Sequence, residues 1–385
     1  GFFPVLEELH AIHSFHTDTH HSPPHSPLTH TTPMSVVPSY AHYRAGGLPV
    51  AISSSRRIVK VFPESGQSGY NPDTSPVIRL ELSPSLGFVD THNSYLSFKI
   101  KSKAGTIDHT REMRLDKNSM SWVRRMTIYS STGSILEDID HYGLLVNMLH
   151  QATCPKDYKT SIGQMIDNSG DRAARNAAMA PPTGSQFNSG FDCSGILGGK
   201  LGSLLPMGYA QGSITVELTL APMRECFVYT AVDGQTPCYE IDSIAYNAHC
   251  LSFADEYNEK FSAQLRTRGI DLSFDTYKTH VHTLPTANSV DLAISQNAAS
   301  VKGSYHCLRS KDKYQSPMHD SLTTYKSGNL SEIQWDLGGR LTPEMPMKLS
   351  NDGVTSVYTH NLNSFNQFRN LALGSGTDDT NFWST

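Results

Sequence analysis

Ser213-Ile214-Thr215-Val216-Glu217-Leu218-Thr219-Leu220 alternates without an error. Ile214, Val216, Leu218 and Leu220 fall on one side; Thr215, Glu217 and Thr219 fall on the other. Successive strand side chains point to opposite faces, so this is the pattern of a half-buried antiparallel strand. Ile78, Leu80 and Leu82 repeat it, as do Leu96, Phe98 and Ile100. Two strand-rich blocks are expected, the first opening near Val77 and closed by Leu220. Such a chain points to a structural or binding protein before a catalyst.

Composition sets bounds around that pattern. The 385 residues suffice for two domains of ordinary size. Only 17% are charged and the formal charge is -5, so Ser, Thr, Asn and Gly make up much of the polar surface. The best basic clusters are the pairs Arg56-Arg57 and Arg124-Arg125, too little for strong nucleic-acid binding, specific or not. No apolar run approaches the roughly 18 residues of a membrane span. The start, Gly1-Phe2-Phe3-Pro4, lacks the basic flank and long apolar core of a signal peptide. Cys154, Cys193, Cys226, Cys238, Cys250 and Cys307 show no short repeating spacing, which predicts reduced thiols in an intracellular assembly environment.

Residues 1–50 read as an irregular arm. Within them, 1–33 carry seven histidines and neither Lys nor Arg, a composition that cannot bury a core. Met34 follows directly and is a candidate true start, with the tract before it an optional extension or a gene-modelling artefact; a histidine-rich metal arm is the alternative. The first sandwich is expected over 51–225, with strands near Val59–Phe62 and Trp122–Tyr129. Ser134 with Glu137 three residues on has capping-box spacing. Ile135, Ile139, Tyr142 and Leu149 follow at helical intervals, so a helix is expected from Ser134 to Cys154. Lys156–Ala180 reads as short helices and Gly184–Gly202 as a glycine-rich loop.

A linker is expected at 226–237 within the turn-rich stretch Pro222–Pro237, and a second sandwich over 238–385. The second block opens with Tyr239–Phe253. Phe253, Tyr257, Phe261 and Leu265 then form one apolar helical stripe. Strands are expected at Ile270–Tyr277, Val290–Ile294, Val301–Leu308, Ile333–Leu337 and Val354–Thr359. Nothing after Phe368 resembles a closing strand, so the second sandwich is expected to be incomplete at its C-terminus.

No set of residues composes a catalytic site, and no cofactor motif is present. His280-x-His282 on a strand would place two imidazoles on one face and is the best metal candidate; a pair of surface histidines is the plainer reading. Asp138 and Asp140 would diverge on a helix. Asp167 and Asp171, with Arg172 and Arg175, read as a salt-bridged helical surface. Ser169-Gly170 and Ser194-Gly195 make no nucleophile elbow, and Gly198-Gly199-Lys200 lacks the P-loop pattern.

Several of these segments resemble the major capsid proteins of polinton-like viruses and virophages, in the tailless-phage and adenovirus lineage of double-stranded DNA viruses. They are Tyr95–Lys101 (YLSFKIK), Asn118–Ser134 (NSMSWVRRMTIYSSTGS), Ile135–His150 (ILEDIDHYGLLVNMLH), Asp167–Ala180 (DNSGDRAARNAAMA) and Leu204–Thr219 (LLPMGYAQGSITVELT). Gly339–Lys348 (GRLTPEMPMK) looks like the family's Gly-to-double-Pro segment. The resemblance covers about two thirds of the chain and is more specific in the first block. It implies an all-β fold of two side-by-side jelly-roll sandwiches with short helical insertions. It also implies a homotrimer forming a pseudo-hexameric capsomer, tiling an icosahedral shell with neighbouring capsomers, penton and minor capsid proteins. No catalytic residue carries over. Trimer contacts are expected in Lys156–Gly202, with Arg172, Arg175, Asn176, Phe187 and Phe191 as candidates. The rival readings are a bicupin metalloenzyme using His280 and His282, and a carbohydrate- or receptor-binding sandwich with exposed aromatic platforms.

Overall fold

Eight antiparallel strands build the two layers of a sandwich, with the short strand Leu205–Pro206 added on Phe88–Val89, and their order defines the topology. The computed structural model describes residues 54–349 except 68, 109–112, 116–117, 154–178, 181–183, 200, 202–203, 270–271, 286, 288, 295–300, 311–313, 315, 319–321 and 323–329. The strands are β1 (Ser54–Val61), β2 (Val77–Leu82), β3 (Phe88–Ser102), β4 (Val123–Tyr129), β5 (Ile135–Asp140), β6 (Ser185–Ser189), β7 (Ile214–Leu220) and β8 (Tyr239–Phe253). One sheet runs β1-β8-β3-β6 and the other β2-β7-β4-β5. Each sheet thus takes strands alternately from early and late in the chain. That is the order of an eight-stranded jelly roll, two interlocked Greek keys closed into a sandwich. The chain is an all-β sandwich protein.

The alternation in the sequence explains the layers. Val216, Leu218 and Leu220 of β7 face inward with Ile78, Leu80 and Leu82 of β2, each at most 4% exposed. From the other sheet come Leu96, Phe98 and Ile100 of β3, each fully buried. Between them sit Trp122, Met126 and Ile128, and the Phe98 ring meets Trp122 edge-on at 5.2 Å. The outward residues pair across strands, as in Arg79 with Glu217 at 2.9 Å.

Four expectations change. The strand that closes this sandwich is β8, not Ser213–Leu220: Tyr239–Phe253 inserts between β1 and β3 rather than opening a second block. Residues 226–237 accordingly connect two strands of one sandwich, and Phe227–Val228 pairs with Arg114–Leu115. Ile135–Asp140 is strand β5, and helix α1 starts only at Tyr142 and runs to Thr153. The pairing of β5 with β4 supplies a backbone ladder that local helix spacing cannot. Ser185–Ser189, inside the expected loop, is β6 and pairs with β3.

After β8 a short turn leads into helix α3 (Asp255–Arg268), with the four-residue helix α2 (Met223–Cys226) earlier in the chain. The α3 stripe is real: Tyr257 packs on Phe253 and stacks on Phe261, both meet Phe88 edge-on, and Phe261 meets Tyr209 at the sandwich end. Beyond it, the described residues of 272–294 and 301–310 hold no regular strand or helix, against the three strands expected there. The physical reason is visible at 276–279, where side chains rather than backbone reach the neighbouring strand β5. A hairpin of β9 (Glu332–Leu337) and β10 (Arg340–Lys348) ends the described chain. Residues 1–53, most of Lys156–Ala180, and Val354–Thr359 lie outside the described residues.

Candidate functional site

The chain after α3 lies back on the sandwich along two seams, and each is centred on a buried carboxylate. The first is Glu137 on β5, 2% exposed. Alternation would place an apolar residue at this inward position. Instead the carboxylate accepts from Ser194 Oγ at 2.6 Å, the Gly195 N–H at 2.8 Å and Thr276 Oγ1 at 3.1 Å. Lys278 Nζ donates to the Asp138 carbonyl at 3.3 Å and Thr279 Oγ1 to the Asp140 carbonyl at 2.8 Å. Residues 276–279 therefore cover the β5 edge, which otherwise would expose unpaired backbone groups. Gly195 makes the approach feasible: a Cβ there would stand 2.2 Å from the Asp275 carbonyl oxygen. Burial pushes the Glu137 carboxyl above the usual range, and its neutral donors only partly oppose that.

The second seam centres on Glu225 in α2, also 2% exposed. Arg124 Nη1 bonds its Oε2 at 2.7 Å, and Tyr314 Oη donates to Oε1 at 3.3 Å. His141 Nδ1 stands 3.7 Å away, too long for a full hydrogen bond, while its Nε2 is 3.1 Å from Arg124 Nη2. The Tyr229 N–H donates to the Pro317 carbonyl at 2.9 Å, adding a backbone tie. Arg309, 1% exposed, lies over the Tyr314 ring at 4.2 Å. Burial pushes the Glu225 carboxyl up, but His141, Arg124 and Arg309 outweigh it and hold the group below the usual range. His141 itself sits at φ 52, a left-handed conformation uncommon outside glycine, at the corner between β5 and α1.

Neither seam is organised for chemistry. The recess lined by Ser121, Arg124, His141 and Glu225 leaves no room even for a water-sized guest, against roughly 300 Å³ at the small end of ligand pockets. The Ser121 hydroxyl donates to the Asn118 carbonyl at 2.7 Å and accepts from Asn147 at 2.7 Å, so it serves the fold. The partners here are ion pairs and loop clasps, suited to holding segments in place.

The residues singled out in the sequence are placed as follows. His280 and His282 are half-buried and off any strand, so the alternate-face argument for a metal pair lapses. No cluster of three or more metal-ligating side chains occurs among the described residues. Asp138 and Asp140 lie on a strand and share its outer face; Asp138 is gripped by Arg125 through Nε at 2.7 Å and Nη2 at 2.8 Å. Phe187 and Phe191 are 1% and 2% exposed, so their rings fill their own sandwich, Phe187 stacked on Phe98 at 5.7 Å. Asp167, Asp171, Arg172, Arg175 and Asn176 lie outside the described residues. Cys193, Cys226, Cys238, Cys250 and Cys307 are buried and in no disulfide among the described residues. Trp122 is fully buried, and Trp335 donates its indole N–H to His306 Nε2 at 2.7 Å. Among the described residues no helix is long and apolar enough to cross a membrane.

Glu137 and Glu225 were both missed as functional groups. Glu137 was hidden inside an apparent capping box. Glu225 had one available signal, a lone acid among the apolar residues of Met223–Tyr229.

No family model and no curated protein matches the chain. Solved structures similar to it include "Crystal structure of PBCV-1 VP54 fitted into a cryo-EM reconstruction of the virophage Sputnik", at 8% identity and a TM-score of 0.35. Another is "PBCV-1 virus capsid, quasi-atomic model", at 11% identity and a TM-score of 0.36. Each match covers 56% of this chain and 46% of the other, so this chain spans less than half the length of the proteins it matches.

Proposed function

We propose that this chain is a major capsid protein of a double-stranded DNA virus of the polinton-like or virophage kind. It would be a mechanical component of the virion rather than an enzyme, assembled inside the host cell. The observation that carries the reading is the sheet order β1-β8-β3-β6 over β2-β7-β4-β5. Jelly rolls of this order serve viral capsids, lectins and cupins. The capsid-like segments quoted from the sequence fall on its strands, with YLSFKIK in β3, SWVRRMTIY ending in β4 and SITVELT in β7. Within the jelly-roll group, the cupin reading loses its strand-borne histidine pair. Among the described residues the lectin reading finds no free tryptophan platform, since Trp122 is buried and Trp335 is bonded to His306.

In this reading the sandwich is one of two jelly rolls per chain, the residues after α3 contribute to the second, and three chains form a pseudo-hexameric capsomer. The two carboxylate seams would fix the second part against the first, so that each chain enters the trimer as one block. Capsomers would then meet each other, penton and minor capsid proteins in an icosahedral shell. An obligate trimer of this kind should bury more than about 2,000 Å² per interface. Size-exclusion chromatography with light scattering tests the reading. Three chain masses in one peak, unchanged on dilution, is the expected result; a monomer overturns it.

A further inference from the structure

Two strand edges that pair no further strand among the described residues match each other in charge and spacing. β1 is the edge of its sheet and pairs only with β8 among the described residues. Val59 and Val61 turn inward against the core, leaving Arg56, Ile58 and Lys60 on the outer face, with Ile58 56% exposed. No acid occurs from Ser54 to Phe62; Arg56 already reaches Asp90 at 3.8 Å and His249 Nδ1 at 2.6 Å, which leaves Lys60 as the cation the strand offers most openly. The hairpin β9–β10 is a two-stranded sheet of its own, which is marginal without a further partner. It exposes Leu337 at 57% and Met345 at 82%.

The two hairpin strands differ as docking edges. β10 carries Pro343 and Pro346, which lack N–H donors, and its register slips between Ile333 and Trp335. β9 has no proline, and it presents Glu332 and Asp336, both exposed, on one face with Gln334 between them. The acids are four residues apart, as are the cations Arg56 and Lys60 on β1. Set antiparallel, Glu332 falls opposite Lys60, Gln334 opposite Ile58 and Asp336 opposite Arg56. Opposite charges directly across a strand pair are favourable, and added strands gain backbone hydrogen bonds as well.

We propose that β9 of one copy adds to the β1 edge of the next copy, in the register Glu332–Lys60 and Asp336–Arg56. The partner is a second copy of this chain, since both complementary edges lie on the same molecule. The two edges are different surfaces, so the contact is heterologous and closes into a ring when the rotation allows. This rests on the capsid reading, whose trimer it supplies with a specific joint.

The test is zero-length carbodiimide cross-linking of the full chain, mixed from unlabelled and 15N-labelled protein and read by mass spectrometry. A Lys60–Glu332 link of mixed isotope origin, found in the trimer peak, is the expected result. Lys60→Glu should lower the trimer fraction about tenfold at low salt, and adding Glu332→Lys should restore it, because rim charges act on association. Both residues are exposed, so folding is not at risk. Trimers without the mixed link, or without rescue by the charge swap, overturn the joint and leave the capsid reading standing. A monomer overturns both.

Discussion

Glu137 and Glu225 are the same residue type, equally buried, and shifted in opposite directions. Around Glu137 the donors are hydroxyls and backbone N–H groups, so burial wins and the carboxyl rises. Around Glu225 stand Arg124, His141 and Arg309, so charge wins and the carboxyl falls. The difference teaches that burial alone does not decide what a carboxylate does in a sandwich. Glu137 is a clasp that a neutral group could largely imitate. Glu225 is the buried counter-charge of a cation cluster, and removing it leaves Arg124 and His141 only the more exposed Asp140, at 3.6 and 3.8 Å.

That contrast can be broken most forcefully at Glu225. Glu225→Gln takes the buried carboxylate from Arg124, which keeps only the longer pair with Asp140 at 3.6 Å, and a stability loss on the order of 3–5 kcal/mol is expected in urea unfolding. Gly195→Ala comes next. Its new methyl would meet the Asp275 carbonyl at 2.2 Å, for an expected cost of about 1–3 kcal/mol. Hydrogen exchange should then rise along 274–279 and along β5 together. Glu137→Gln should cost less than Glu225→Gln, about 1–2 kcal/mol, because one amide N–H must face donors that the carboxylate accepted. If the two Gln variants lose equal stability, the distinction between clasp and counter-charge fails.

Acid separates the two seams further. A raised carboxyl binds its proton more readily in the folded state, so the Glu137 contribution grows as pH falls through the folded pKa, above 4.5, towards the unfolded value. A lowered carboxyl does the reverse: the Glu225 contribution is complete above 4.5 and is lost as pH falls through its lower folded value. Urea midpoints of Glu137→Gln and Glu225→Gln against the parent, followed from pH 7 to 3, should therefore diverge in opposite senses. The smallest effect is expected at the surface. Arg125→Ala removes a half-exposed pair with Asp138 and should cost under about 1 kcal/mol.

Parts of this were legible in the sequence and parts were not. β2, β7 and the Leu96–Ile100 part of β3 were readable because their inward positions there are apolar, so alternation showed through. β5 was not, because its inward position 137 is an acid and its outward residues 138 and 140 are also acids. The pattern there looked like a helix cap, and only the partner strand β4 reveals the ladder. β6, Ser185–Ser189, has a single apolar residue, Phe187, and owes its strand state to β3. The error over the closing strand came from β7 itself. Its clean alternation marked a strand that the topology places inside a sheet, and the true last strand begins only at Tyr239, beyond the turn-rich stretch that follows Leu220. The site was less legible than the fold, since both seams join residues separated by more than 80 positions, as Glu225 and Tyr314 or Glu137 and Thr276 do.

The most direct test of the central claim is the outline of the assembled particle. Negative-stain imaging of the purified chain should show a three-fold capsomer with a pseudo-hexagonal rim, two lobes for each of three chains. Single, separate sandwiches with no three-fold view would contradict a capsid role.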